Sequence, residues 1–256
     1  MGTSYDKNGN LKAQGANTYT YDTENRLTQR TLDDGGTLTY EYGGDSALVR
    51  RRSSDGTASV YIGGIYEKYG AGPVALSTTK YYKALGRTIA MRTSSSSDTT
   101  YLLSDHLGST TTTSTNGLIA KESYYPFGAT RSTTGTIPTD RLFTGQRQEP
   151  SDALGLYNYG ARFYSTALGR FMSVDPVAAN AANPQSWNPY SYVRNSPLRY
   201  TDPTGMCIPD DDGPHGCGLE AYALHSHRSI DRGETSIYTV WTDAAGDLLT
   251  AHPGTP

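Results

Sequence analysis

The chain has 256 residues, of which 35% are hydrophobic and only 18% charged, with 28 Gly and 21 Tyr against 4 Phe and 2 Trp. This composition excludes a disordered chain, which would be poor in aromatic and β-branched residues. It also excludes a mainly helical one, because Leu, Ala, Glu and Lys do not dominate. The net charge of −3 hides an asymmetry: residues 1–206 carry 17 acidic and 20 basic side chains, residues 207–256 carry 8 acidic and 2 basic. The change of sign near residue 206 suggests a boundary. Neither part has the basic block of a nucleic-acid surface, so no nucleic acid is expected as a partner of 1–206. No apolar run approaches a membrane span, and Met1-Gly2-Thr3-Ser4 shows no signal-peptide pattern.

Tyr and Thr suit half-exposed pleated surfaces, and Gly and Asn supply the positive φ angles of tight turns. The first ninety residues repeat themselves. Tyr5-Asp6-Lys7-Asn8-Gly9-Asn10-Leu11 returns as Tyr21-Asp22-Thr23-Glu24-Asn25-Arg26-Leu27. A weaker copy stands at Tyr40-Glu41-Tyr42-Gly43-Gly44, and Asp55-Gly56-Thr57 marks another turn. Thr18-Tyr19-Thr20-Tyr21 and Thr37-Leu38-Thr39-Tyr40 alternate as strands do. Each unit is expected to be strand, turn, strand, in an all-β array of antiparallel hairpins. One Tyr-rich hairpin cannot bury its faces alone, so neighbours must stack. Because the chain starts directly in a repeat, it is expected to be the end of a longer protein, with further repeats upstream as partners.

A different series of phrases follows. Tyr101-Leu102-Leu103-Ser104-Asp105-His106-Leu107-Gly108-Ser109 opens it, and Asn116-Gly117 is a strong hairpin turn. Next come Tyr124-Tyr125-Pro126-Phe127-Gly128, Phe143-Thr144-Gly145-Gln146-Arg147 and the run from Gly155 to Tyr164. Gly169-Arg170-Phe171-Met172-Ser173-Val174-Asp175-Pro176, then Asn188–Pro197 and Asp202-Pro203-Thr204-Gly205-Met206, close it. His106, alone in a turn, is expected to hydrogen-bond rather than catalyse. Tyr157, Tyr159, Phe163 and Tyr164 read as sheet-packing aromatics, and Arg147 and Arg162 as partners of carboxylates in that wall. Asn188-Pro189 predicts one short helix over 189–194.

The Tyr-Asp units resemble the YD repeats of RHS proteins and teneurins, and the ordered phrases of 101–206 closely resemble the RHS repeat-associated core domain. The resemblance implies a β-shell of coiled hairpins, with repeats over 1–98, the associated core over 99–206 and a variable tail over 207–256. The body up to Met206 would form only an arc of such a shell, with open sheet edges. The resemblance further implies a bacterial protein, secreted or held at the cell envelope, whose shell encloses its own C-terminal tail as a payload, with an immunity protein as a further partner. An alternative is an envelope or adhesive surface protein that binds carbohydrate through exposed Tyr.

Two Asp-Pro motifs carry the expected chemistry. By their residues alone, Asp175-Pro176 and Asp202-Pro203 are turn formers. The resemblance implies an aspartic-protease-like pair, Asp175 and Asp202, that cuts the chain once, between Met206 and Cys207, with Arg170 supporting the site. Two close carboxylates share a proton, so one can serve as base and the other as acid. The first motif, Asp175-Pro176-Val177-Ala178, lacks the Gly-Leu that usually follows in self-cleaving relatives, and the second ends in Met206 rather than Leu. No cofactor is expected. In the tail, Cys207, Cys217, His215, His225 and His227 include zinc-ligating types, but Cys207 and Cys217 are ten apart, which matches no recognised finger. A disulfide or plain thiols fit better. His225, His227 and Asp231 are residue types that serve hydrolysis, but a tail of this length is short for an independently stable enzyme.

Overall fold

The computed structural model describes residues 2–71, 77–150, 154–177 and 184–208 in full, and beyond them the backbones of two paired strands, Tyr238–Thr242 and Leu248–Pro253. His215, Cys217, His225, His227 and Asp231 lie outside the described residues.

Fourteen strands form one antiparallel sheet in strict sequence order. They are β1 (Thr3–Tyr5), β2 (Leu11–Gln14), β3 (Asn17–Tyr21), β4 (Leu27–Thr31), β5 (Thr37–Tyr42), β6 (Leu48–Ser53) and β7 (Thr57–Ile62). They continue as β8 (Tyr66–Ala71), β9 (Ser77–Ala84), β10 (Arg87–Thr93), β11 (Thr100–Ser104), β12 (Thr110–Thr115), β13 (Leu118–Tyr124) and β14 (Thr130–Thr134). β10 pairs with β11, so the sheet runs unbroken across residue 99. The sheet is open, with β1 at one edge and β14, exposed along its length, at the other.

The Tyr-Asp repeat is a turn with a mechanism. In Asp6–Asn10 the first N–H bonds the fifth carbonyl (2.9 Å) and the fourth N–H returns to the first carbonyl (3.2 Å). The same closure recurs in Asp22–Arg26, Leu32–Gly36, Gly43–Ala47, Asp105–Ser109 and Tyr125–Ala129. The fourth residue has positive φ each time: Gly9, Asn25, Gly35, Ser46, Gly108 and Gly128. This is a type I turn followed by a left-handed residue, which leaves a one-residue bulge beside it. Asp at the first position adds a second cap, since Asp6, Asp22 and Asp105 each accept two backbone N–H groups of their own turn at 2.8–2.9 Å. The preceding Tyr has its own task. Tyr21, Tyr42 and Tyr124 donate their hydroxyls to the carbonyls of Leu11, Leu27 and Thr110, the first residues of the neighbouring strands.

A second sheet of four short strands, β15 (Arg147–Gln148), β16 (Leu156–Asn158), β17 (Phe163–Ser165) and β18 (Arg170–Phe171), packs against the inner face of the first. Its two faces follow strand alternation. Leu156 and Phe163, with Leu154 and Met172, meet Leu11, Tyr19, Leu27, Leu38 and Tyr40 of β2–β5. Tyr157, Tyr159, Tyr164 and Phe171 meet Leu142, Phe143, Tyr192 and Val193, with Tyr124 and Phe127 beside them. The four expected packing aromatics are thus buried in the wall.

Charges stitch the returning segment to the shell. Glu149, buried, takes the Tyr40 hydroxyl at 3.0 Å and the Arg51 guanidinium at 3.2 Å. Glu67 pairs with both Arg141 and Arg147, and the two guanidiniums lie over the Tyr81 and Tyr61 rings. Arg147 therefore pairs with carboxylates as expected, and His106 hydrogen-bonds the Leu198 carbonyl at 3.1 Å.

The helix expected over 189–194 gives way to a single tight turn at Val193–Asn195, whose φ angles of 41°, 52° and 58° are left-handed. Asn188 does cap the Tyr190 N–H at 3.1 Å. But the Tyr190 carbonyl is taken by Phe171 N–H and Ser191 bridges to Arg170, so pairing with β18 holds this stretch extended.

Candidate functional site

Asp175 follows β18, and Asp202 lies in the turn that ends the described body. Pairing with the second loop holds the first in place: the Asp175 N–H donates to the Pro189 carbonyl at 3.0 Å. Asp175 Oδ1 accepts the Val177 N–H at 2.9 Å, the turn-forming behaviour of an Asp-Pro motif. Asp202 is more deeply set. Its Oδ1 receives the N–H groups of Thr204, Gly205, Met206 and Cys207, at 3.3, 2.8, 3.1 and 3.1 Å.

Arg162 joins the two. Its Nη2 lies 2.8 Å from Asp175 Oδ2 and 3.5 Å from Asp202 Oδ2. Nη1 donates to the Pro189 carbonyl at 3.1 Å, and Nε donates to the Gly205 carbonyl. The guanidinium plane covers the Phe171 ring, 3.7 Å from its centroid. A planar cation with fixed donors can serve two carboxylates and two carbonyls at once, which an ammonium cannot. Gly205 makes the close fit possible. Its φ is +75°, and a Cβ there would stand 3.0 Å from both Arg162 N and Tyr159 O.

The two carboxylates differ in surroundings. Burial pushes Asp202 up to about 6 from an ordinary 3.8, against the pull of Arg162 and of the Cys207 N–H, while the charge of Asp175 adds to the rise. The Asp202 side chain is 4% exposed and that of Asp175 25%. Burial also lowers Arg162, opposed by its two carboxylates. A cleft of about 70 Å³, lined by Arg162, Asp175, Asp202, Met206 and Cys207 among others, has room for water beside both acids.

Asp175, Asp202, Met206 and Cys207, singled out in the sequence, therefore lie together. Arg170 does not join them: its guanidinium faces the Tyr5 ring, 6.0 Å from the centroid. Arg162 stands between the acids instead. The sequence marks Arg162 as a partner of carboxylates in the wall but not of these two. A cation just before an aromatic strand is the local sign, and its carboxylate partners lie 13 and 40 positions further along the chain, in separate loops.

Tyr-Asp hairpins laid in order against an inserted aromatic sheet make the chain similar to proteins of the RHS/YD-repeat shell class. The toxin subunit YenC2 of Yersinia entomophaga is 35% identical over 143 residues, 52% of this chain and 14% of its own length. Salivary gland surface protein 1 of Aedes aegypti is 37% identical over 109 residues, 41% of this chain and 3% of its own. A crystal structure of TcdB2–TccC3 shares the fold with a TM-score of 0.66 and 23% identity, over 79% of this chain and 11% of that one. The chain thus spans only a small part of the length of each of these three relatives. No protein-family model matches it.

Proposed function

We propose that the chain is the closing segment of a secreted, bacterial, toxin-type RHS/YD-repeat shell, which encloses the C-terminal tail as its payload and cuts it free between Met206 and Cys207. In this reading residues 1–98 are shell repeats, 99–206 the associated core and 207–256 the released part; further repeats lie upstream, and an immunity protein guards the producing cell. The observation that carries it is the meeting of Asp175 and Asp202 on one guanidinium, with the Cys207 N–H on Asp202.

The chemistry is one hydrolysis. Asp175, on the wetter side, takes a proton from a cleft water. The water oxygen bonds the Met206 carbonyl carbon. As the carbon–nitrogen bond breaks, Asp202, raised toward neutrality and beside the Cys207 nitrogen, supplies the proton that makes it an amine. Arg162 holds both acids in register and stabilises negative charge near Gly205. The Asp202 turn is held by the body itself, through Ala161 N–H to Thr204 O and Gln146 to Pro203 O, so the new C-terminus stays seated and the reaction is a single turnover.

The test is expression of the chain followed by intact-mass analysis. A fragment with the mass of 207–256 should appear, and should be absent in Asp202→Asn. A chain that stays whole under all conditions defeats the reading.

A second reading, a surface protein binding carbohydrate, is favoured by the Aedes aegypti similarity and by exposed tyrosines on the outer face. Tyr82 and Tyr101 flank Ala90 in register on β9, β10 and β11. Glycan-array binding by the full chain, lost in Tyr101→Ala, would support it.

A further inference from the structure

The first hairpin of the chain touches the candidate site from behind. Leu11 N–H donates to the Met172 carbonyl at 2.8 Å. The Tyr190 hydroxyl donates to the Gly9 carbonyl at 2.7 Å, across 181 residues of sequence. At the same turn a Cβ on Gly9, whose φ is +84°, would stand 2.6 Å from Val174 Cγ2 and 2.7 Å from the Tyr190 oxygen. The Tyr5 ring meets the Tyr190 ring edge-on at 5.8 Å, and the Arg170 guanidinium lies 6.0 Å from the Tyr5 centroid. The turn therefore presses on Val174, next to Asp175, and on Tyr190, next to Pro189. The Pro189 carbonyl is the acceptor shared by the Asp175 N–H and Arg162 Nη1. Nothing else among these contacts fixes the Asp175 loop relative to the Pro189 loop from outside the small sheet.

We propose that the β1–β2 hairpin is a clip that sets the Asp175 half of the site, with Tyr190 as its positioning residue, so that the site is complete only once the N-terminal hairpin has closed onto residues 171–190. The role of the clip in cutting rests on the cleavage reading above; its effect on geometry does not. A clip of this kind makes release conditional on closure. A chain whose early hairpins have not folded back presents both acids but not in register, and the tail stays attached until the wall around it has formed. Arg170 takes part here, through Tyr5, rather than at the carboxylates.

The test uses the full chain with Tyr190→Phe, which removes only the hydroxyl, and Gly9→Ala, which drives Val174 and Tyr190 away from the turn. Two quantities are followed: the rate at which the tail fragment appears, and the titration midpoint of the Asp202 carboxyl by carbon-13 NMR, compared in the same intact or cleaved state. Loosening Pro189 frees Arg162 from the acids, so both variants should cut at least about ten-fold more slowly, with the Asp202 midpoint moved upward. A contact that serves stability alone lowers the melting temperature and leaves that midpoint where it was; an unchanged midpoint in both variants overturns the clip. If the parent chain never cuts, the cleavage reading fails by itself, and the midpoint still decides whether the hairpin positions the site.

Discussion

Cys207 offers its backbone N–H to Asp202 Oδ1 at 3.1 Å, so the carboxyl lifted to about 6 by burial is the one that touches the peptide bond at the end of the body. The more exposed carboxylate, Asp175, reaches that bond only through Arg162 and the cleft. In the proposed cleavage this asymmetry would make Asp202 the acid and Asp175 the base, without a symmetric dyad.

The first prediction is a pH dependence. Asp202 is protonated below about 6, and the proposed acid step needs that proton, so the cutting rate should fall as pH rises above 6. Rates of fragment formation between pH 4.5 and 8.5 check it. A rate that climbs steadily through this range would assign the proton donor elsewhere.

The same group gives a stability effect of defined sign. Its folded value lies above its ordinary 3.8, so its contribution is fully present below about pH 4 and is lost as pH rises through 6. A rise of this size corresponds to about 3 kcal/mol. Urea unfolding of the parent chain and of Asp202→Asn at pH 4 and 7 should show a smaller loss in the variant.

Arg162→Lys should cut at least about a hundred-fold more slowly, because a point charge on a flexible stem cannot hold two carboxylates and two carbonyls together. Arg162→Met should also lower stability by about 3–5 kcal/mol, since it leaves the buried Asp202 and the half-buried Asp175 without their cation. Denaturation midpoints and fragment rates, measured on the same samples, separate the two effects.

In the shell, Tyr21→Phe should cost about 1–2 kcal/mol by leaving the Leu11 carbonyl unbonded in a buried place. Tyr42→Phe, which does the same to Leu27, should cost a similar amount. Tyr21 pairs in register with Leu27, the acceptor of Tyr42, so the double variant should depart from simple addition.

Glu149→Gln should destabilise by about 3 kcal/mol, because Arg51 would then be left without its buried anion. The double change Arg51→Met with Glu149→Leu should be milder than Glu149→Gln alone. Thermal melts of the variants provide the comparison.

Much of the wall is legible in the sequence because its information is local. Asp6 and Asp22 bond within five residues, the positive-φ position carries Gly or Asn in five of the six turns (Ser46 is the exception), and strand alternation sorts Leu38 and Tyr40 inward. The five-residue turn also forms at Gly43–Ala47, where Gly replaces Asp, so the repeat is written in backbone closure more than in the carboxylate. What could not be read lies between distant residues. Glu149 finds Tyr40 across 109 positions. Arg162 rather than Arg170 faces the acids: Arg162, just before β17, meets Asp175 and Asp202 across the loops, while Arg170 of β18 lies toward Tyr5. The helix over 189–194 fails for the same reason: pairing with β18 outweighs the local capping signal at Asn188.

The fourteen strands pair only with their sequence neighbours. A chain that emerges from its N-terminus can therefore lay the wall in the order of its synthesis, and no strand has to wait for a later one. The entropy of distant contact is concentrated in the final segment, from Thr139 to Ile208, which must find partners throughout the finished wall. The topology therefore permits a vectorial order of folding, in which hairpins add in sequence and the lining from Thr139 to Ile208 docks last and buries their inner faces.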